Sequence, residues 1–161
     1  MASILDHCDG APRRQYGAGD ALITEGGATG HLYVLAAGEV EVLRGETRVA
    51  VVGEPGAVLG EMSILLARPH TATVRALSPV TAVVIEDAEA FLKSNPEIAL
   101  FIGRMLAQRL SAATTYLADL TQQYAHHSNH LGMVGEVLGA LIHQHEDDFR
   151  PGPDRADDPR L

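Results

Sequence analysis

The chain has 161 residues, 46% of them hydrophobic and 20% charged, which suits one ordinary domain with a modest appendage and leaves too little chain for a two-domain enzyme. A formal charge of −9 argues against a protein that works on the nucleic-acid phosphate backbone, because such binding relies on clustered Lys and Arg that release counterions. No apolar run approaches the ~20 residues needed to cross a bilayer, so no membrane helix is expected.

Segment 1–12 has neither a basic lead nor a long apolar stretch, so it does not read as a secretory signal and a cytoplasmic location is expected. Cys8 is the one cysteine of the chain. It cannot form an internal disulfide or supply the thiolates of an iron–sulfur or structural zinc site, and it reads as an ordinary thiol.

From Tyr16 to about Glu86, short apolar or alternating runs are punctuated by turn residues: Gly17-Ala18-Gly19-Asp20, Gly26-Gly27, Ala37-Gly38-Glu39, Arg44-Gly45-Glu46 and Gly53-Glu54-Pro55-Gly56. That rhythm predicts antiparallel β-structure. Leu32–Leu35 and Val40–Arg44 flank a Gly-centred turn, which predicts that they pair as neighbours. Ala72–Leu77 and Val80–Glu86, joined at Ser78-Pro79, add β-branched strands. About eight short strands fit a sandwich or jelly roll, a double-stranded β-helix. The fold class is therefore mainly β with a C-terminal α part.

After Asp87 the spacing becomes helical. Ala88–Leu92 predicts a short helix closed near Ser94-Asn95-Pro96, and a long one starts there, since Pro96 suits a first turn and Glu97 the positive end of the dipole. Leu106, Leu110, Ala113, Leu117, Leu120 and Tyr124 then follow alternating steps of four and three, a seam for a partner helix. A homodimer through 106–124 is expected. The same register continues through His127, Leu131, Val134, Leu138, Leu141 and His145, but Ser128, Asn129, Gly132, Gly135 and Gly139 weaken helix, Gly by roughly 1 kcal/mol each. The division expected is thus 1–12, a β-roll with short helix over 13–95, a long helix over 96–125, a His-rich segment with a second helix over 126–145, and a disordered acidic tail over 146–161.

The segment richest in chemistry is Leu59–Val74. Gly60 permits close backbone approach, and the apolar residues after it suit a short helix whose first N–H groups would face an anion. Gly60-Glu61-Met62, then Pro69 eight residues after the Glu, then Thr71-Ala72-Thr73-Val74, resembles the phosphate-binding cassette of cyclic nucleotide-binding domains. Gly19-Asp20, Ile23, Glu25-Gly26, Leu32–Leu35, Gly38–Val42 and Pro55-Gly56 fall in the order that family shows, and the resemblance covers roughly residues 13–124. It implies a β-roll whose ligand, cAMP, cGMP or a related small anion, lies against Gly60, Glu61, Met62, Ser63, Ile64, Pro69, His70, Thr71 and Ala72. Glu61 would accept the ribose 2′-OH, while the Ser63 and Ile64 amides and Thr71 would lie near the phosphate.

The departure from the pattern is His70, which stands where the family has an arginine. A guanidinium grips two phosphate oxygens with a fixed fork of permanently charged donors, whereas an imidazole offers one bond and is mostly neutral above pH ~6.5. Losing a charge-assisted bond of about 1.5–3 kcal/mol weakens binding roughly ten- to a hundredfold. Three accounts of His70 stand open: a weaker phosphate ligand helped by protonation, a pocket retuned for another anion, or a pocket that binds nothing. Retained binding, weakened or retuned, is the reading adopted. Arg68 precedes a proline and is expected to point to solvent. Thr71 could favour guanine but is also a good strand former, and Glu61 at a helix start is favourable without any ligand.

His126, His127 and His130, with His143 and His145 after them, raise the question of a metal, and His126 and His130 are the weak candidates at i, i+4 spacing. No cysteine lies near, so no metal site or cofactor is assigned. His127 on the seam would make a dimer sensitive to pH. No catalytic triad, P-loop or nucleophile elbow is present, and no enzyme activity is expected. The leading reading is a sensor in signal transduction that captures a cyclic nucleotide or similar anion and signals through its C-terminal helix. The alternatives are a ligand-free dimerisation or interaction module with a degenerate pocket, and a partner-dependent transcription regulator. The segment after Tyr124 shows no recognition helix, so no direct nucleic-acid contact and no membrane contact are expected.

Overall fold

The described residues of the computed structural model, 3–123 with Glu136, Val137 and Gly139, begin with a 3-10 turn, Ile4–His7, capped by Ser3. Strands β1 (Arg13–Tyr16), β2 (Ala21–Ile23), β3 (Leu32–Ala37), β4 (Val40–Arg44), β5 (Thr47–Val52) and β6 (Val58–Leu59) lead into helix α1 (Glu61–Leu66). Strands β7 (Thr73–Ala76) and β8 (Val80–Ile85) then precede α2 (Ala88–Ser94) and α3 (Pro96–Gln123). Two antiparallel four-stranded sheets result, in the orders β1-β8-β3-β6 and β2-β7-β4-β5. This is the expected jelly roll followed by short and long helices.

One pairing expectation is overturned. β3 and β4 are not neighbours: β3 pairs with β8 and β6, and β4 pairs with β5 and β7. The Ala37-Gly38-Glu39 link is a corner between the two sheets rather than a hairpin. Gly38 has a φ of 92°, and a Cβ there would collide with the Pro79 carbonyl oxygen. The backbone of the β7–β8 link occupies the space in which a hairpin would close, so both links cross between sheets side by side. The Leu77 N–H donates to the Glu39 carbonyl at 2.8 Å and ties the two corners together.

Alternation decides which side chains meet between the sheets. Tyr33 and Leu35 from β3, Val80, Ala82 and Val84 from β8, and Leu59 from β6 face Leu22 and Ile23, Val40, and Val74 and Ala76 of the other sheet. The opposite face of β3 and β8 carries Leu32, Val34, Val83 and Ile85, which are also buried. Ile4 of the 3-10 turn, Ala88 and Leu92 of α2, and Ile98 and Ile102 of α3 are the buried residues of the flanking helical segments. Cys8 is buried and free, its thiol held above the ordinary range by burial, and its Sγ–H donates to the Ile4 carbonyl at 3.2 Å.

The helical expectations hold at their starts. Asp87 caps α2, accepting from the Ala90 N–H at 3.2 Å, and α3 starts at Pro96 with Glu97 in its first turn. The chain divides into two compact units, 1–104 and 105–161, so the division falls inside α3. Within the second unit, Leu110 and Ala113 are exposed and Leu106, Leu117 and Leu120 half-buried. Tyr124 and all five histidines from His126 to His145 lie outside the described residues, as does the acidic tail.

Candidate ligand-binding site

The cassette folds as its residue types demand. Gly60 takes a φ of 89°, where a side chain is strained, and a Cβ there would sit 3.2 Å from the His31 carbonyl oxygen, 3.3 Å from Ile23 Cδ1 and 3.5 Å from His70 Cε1. That turn releases the chain from β6 and starts α1 at Glu61. The helix lasts only six residues because Ala67 adopts the left-handed conformation, with a φ of 49°. For a non-glycine residue this costs about 1–2 kcal/mol. The exit is held by the Arg68 N–H, which donates to the Ser63 carbonyl at 3.1 Å, and by the Ser63 hydroxyl, which donates to the Arg68 carbonyl at 2.6 Å. The Ser63 side chain therefore shapes the loop that returns Pro69 and His70 to the roll.

Two polar residues of the cassette are buried: Glu61 is 5% exposed and His70 6%. The backbone of His70 is clamped by the loop between β2 and β3. Its N–H donates to the Gly27 carbonyl at 2.8 Å, and its carbonyl accepts from the Gly26 N–H at 2.7 Å. The same loop is pinned by the Glu25 N–H, which donates to Thr73 Oγ1 at 3.0 Å, and by the Glu25 carboxylate, which accepts from the Gly45 N–H at 2.9 Å. With its backbone held from both sides, the imidazole is directed inward, and its buried Nε2 has no hydrogen-bond partner. Such orphaned polar atoms are uncommon in native interiors. Burial, and then the charge of His31, push the His70 imidazole below its ordinary range.

The other cassette residues spread over two sides of the loop. Gly60, Ser63, Ile64 and Ala72 are half-buried, whereas Met62, Pro69 and Thr71 are exposed. Arg68 is exposed as expected and lines a cleft of about 350 Å³ with Ser63, Ile64, Ala67, Pro69, Ala28 and Gly30. Neither Glu61 nor His70 lines it. Its acidic residues have structural work: Glu86 bonds Arg14 at 2.9 Å, Glu89 bonds Lys93 at 2.8 Å, and Asp87 caps α2. Among the described residues no group of His, Cys, Asp and Glu has the arrangement of a metal centre. The candidates His126 and His130 lie outside those residues.

Sequence reading missed His31. It precedes β3 at the alternation of Tyr33 and Leu35, whose side chains lie between the sheets, and its ring is 6.2 Å from that of Tyr33. No motif marks it. The signal was its parity with the inward residues of β3. Tyr33 itself is buried, and its hydroxyl is pushed above the ordinary phenol range, chiefly by burial.

Comparison with known proteins bears on what this arrangement serves. A family model described as "Cyclic nucleotide-binding domain" matches residues 13–93. A "CRP-like cAMP-activated global transcriptional regulator" of Mycobacterium tuberculosis is 31% identical over 108 residues, which is 63% of this chain and 48% of that protein. The chain thus spans about half the length of that relative. Among solved structures, the N-terminal domain of a transcriptional regulator from Streptomyces coelicolor is similar at a TM-score of 0.52 and 30% identity, covering 68% of this chain and 83% of that one. The catabolite activator protein of Thermus thermophilus gives a TM-score of 0.63 at 21% identity over 87% of this chain and 80% of that one, a likeness of fold.

Proposed function

Because this chain belongs to the cyclic nucleotide-binding domain family, we propose that it is a sensor module: the roll takes cAMP, cGMP or a related small anion at the cassette, and the helices after β8 pass the event on. The observation that carries this reading is the burial of Glu61, which directly follows the left-handed Gly60, and of His70, whose ring lies 3.5 Å from the point where a Gly60 side chain would begin. A buried carboxylate and a buried imidazole in one short cassette are the kind of polar minority with which a small-molecule site fixes orientation. Glu61 is assigned to the ribose hydroxyl, and His70, with the amides of Ser63 and Ile64, to the phosphate. Thr71 is exposed and is given no part in base selection.

A route out of the site is built into the first unit. α1 touches α2, and α2 joins α3 through Asn95, whose side-chain amide donates to the Phe91 carbonyl at 2.9 Å. A shift of α1 on ligand capture therefore reaches the start of α3 with no flexible linker between. The exposed Leu110 and half-buried Leu106, Leu117 and Leu120 support a homodimer through the 106–124 seam as the receiver. No catalytic role is proposed. Segment 1–104 serves as a regulatory module, whatever it is attached to.

Calorimetric titration of cAMP and cGMP into wild type, Glu61→Gln and His70→Arg tests this function. The expected result is measurable binding by wild type, about ten- to a hundredfold tighter binding by His70→Arg, and a loss of similar size in Glu61→Gln. If neither wild type nor His70→Arg produces heat or a thermal shift with either nucleotide at pH 6 or pH 8, the nucleotide reading fails. If only His70→Arg responds, the natural ligand of the roll is not a cyclic nucleotide.

A further inference from the structure

A buried imidazole with an unpartnered nitrogen lies beside Gly60 in the cassette. His70 is fixed through its backbone by Gly26 and Gly27, is 6% exposed, and has an Nε2 without a partner. The carbonyl oxygen of the half-buried His31 and the His70 ring both lie within 3.5 Å of the point where a Gly60 side chain would begin. Glu61 starts α1, the Glu25 carboxylate is held by the Gly45 N–H, and Arg68 is on the exposed side of the cassette exit.

A neutral imidazole in such a place brings no charge to an anion, and one of its neutral tautomers turns a lone pair toward it at Nε2. We propose that His70 is a proton-coupled anion clamp, in which the site takes up its anionic ligand together with one proton from solvent on His70. The proposal rests on the cyclic nucleotide reading for the identity of the ligand. The proton adds to the free imidazole nitrogen, after which Nε2–H donates to a ligand oxygen and the pair is neutral overall. No bond within the ligand changes. Burial in the empty site works against the proton, and an anion beside Nε2 reverses that balance, so binding and protonation assist each other.

Titrating cAMP and cGMP calorimetrically in HEPES and in Tris at pH 7.5, whose ionisation heats differ, counts the protons taken up. The expected count for wild type is close to one per nucleotide, with affinity falling about tenfold per pH unit between pH 7 and pH 8. His70→Arg is expected to bind with no proton uptake and a flat pH profile. Wild-type binding with no proton uptake and no pH dependence overturns the clamp and leaves the nucleotide reading standing, since a neutral Nε2–H donor would then suffice. Absence of binding by wild type at every pH from 6 to 8 overturns both readings.

Discussion

Glu41 and His70 are both polar and both more than nine-tenths buried, yet the fold treats them in opposite ways. Glu41 is on β4 between Val40 and Val42, whose side chains face the roll interior, so it points to the outer face of its sheet. There its carboxylate accepts from Arg75 Nε at 2.8 Å, from the residue directly opposite on β7, and from Arg48 Nε on β5 at 2.7 Å. The Arg75 hydrogen bond, helped by that of Arg48, outweighs burial and holds the Glu41 carboxyl below the ordinary range. His70 faces inward and has no such partner at Nε2. A buried polar group whose bonds are all supplied by the chain knits strands together, and one left short is a place prepared for something else.

This contrast can be broken most strongly at the ligand. His70→Arg is expected to tighten cyclic nucleotide binding by about 1.5–3 kcal/mol, whereas Glu41→Gln is expected to leave the dissociation constant unchanged; an effect of Glu41→Gln on affinity would erase the distinction. Gly60→Ala should cost about 1–3 kcal/mol of stability, since the new methyl group meets a left-handed backbone and the His31 carbonyl. Chemical denaturation of both proteins measures it.

A smaller effect separates the two groups without any ligand. His70→Leu removes the orphaned nitrogen and is expected to raise the stability of the ligand-free protein by about 1–2 kcal/mol, a rise in Tm of roughly 2–8 °C. Glu41→Gln is expected to lower Tm. If His70→Leu lowers it instead, the imidazole is a structural group after all.

The smallest effect is in the acid profile. The imidazole of His70 is depressed in the folded state, so its contribution is full above the ordinary histidine value and declines as pH falls from there through the folded value, where the unfolded chain binds the proton first. Glu41 is also depressed, so its contribution persists down to the ordinary carboxylate range and is lost only below it. The stability difference between wild type and His70→Leu should therefore widen as pH falls from neutral to about 5, and that between wild type and Glu41→Gln should shrink only below about pH 4.5.

What local sequence carried was legible. The cassette helix after Gly60, the short helix closed near Asn95, and the long helix starting at Pro96 all follow from glycine freedom, caps and periodicity, which act over a few residues. The strands were legible as strands, because alternation is a local property. Their partners were not. Leu32–Leu35 and Val40–Arg44 flank what reads as a hairpin turn, and nothing within that segment says that the Pro79 carbonyl will fill the corner.

The site divides along the same line. Gly60, Glu61 and His70 belong to one continuous motif, so the sequence by itself determined that a cassette was present and that an imidazole stood where an arginine was expected. Tertiary structure alone decided that the His31 carbonyl, just before β3, and the His70 ring come together at Gly60, that Gly26 and Gly27 clamp the His70 backbone, and that its Nε2 is buried without a partner. The reason is physical. Burial and charge depend on distance through space, and two histidines far apart in the chain acquire a common environment only once the sheets have closed over them.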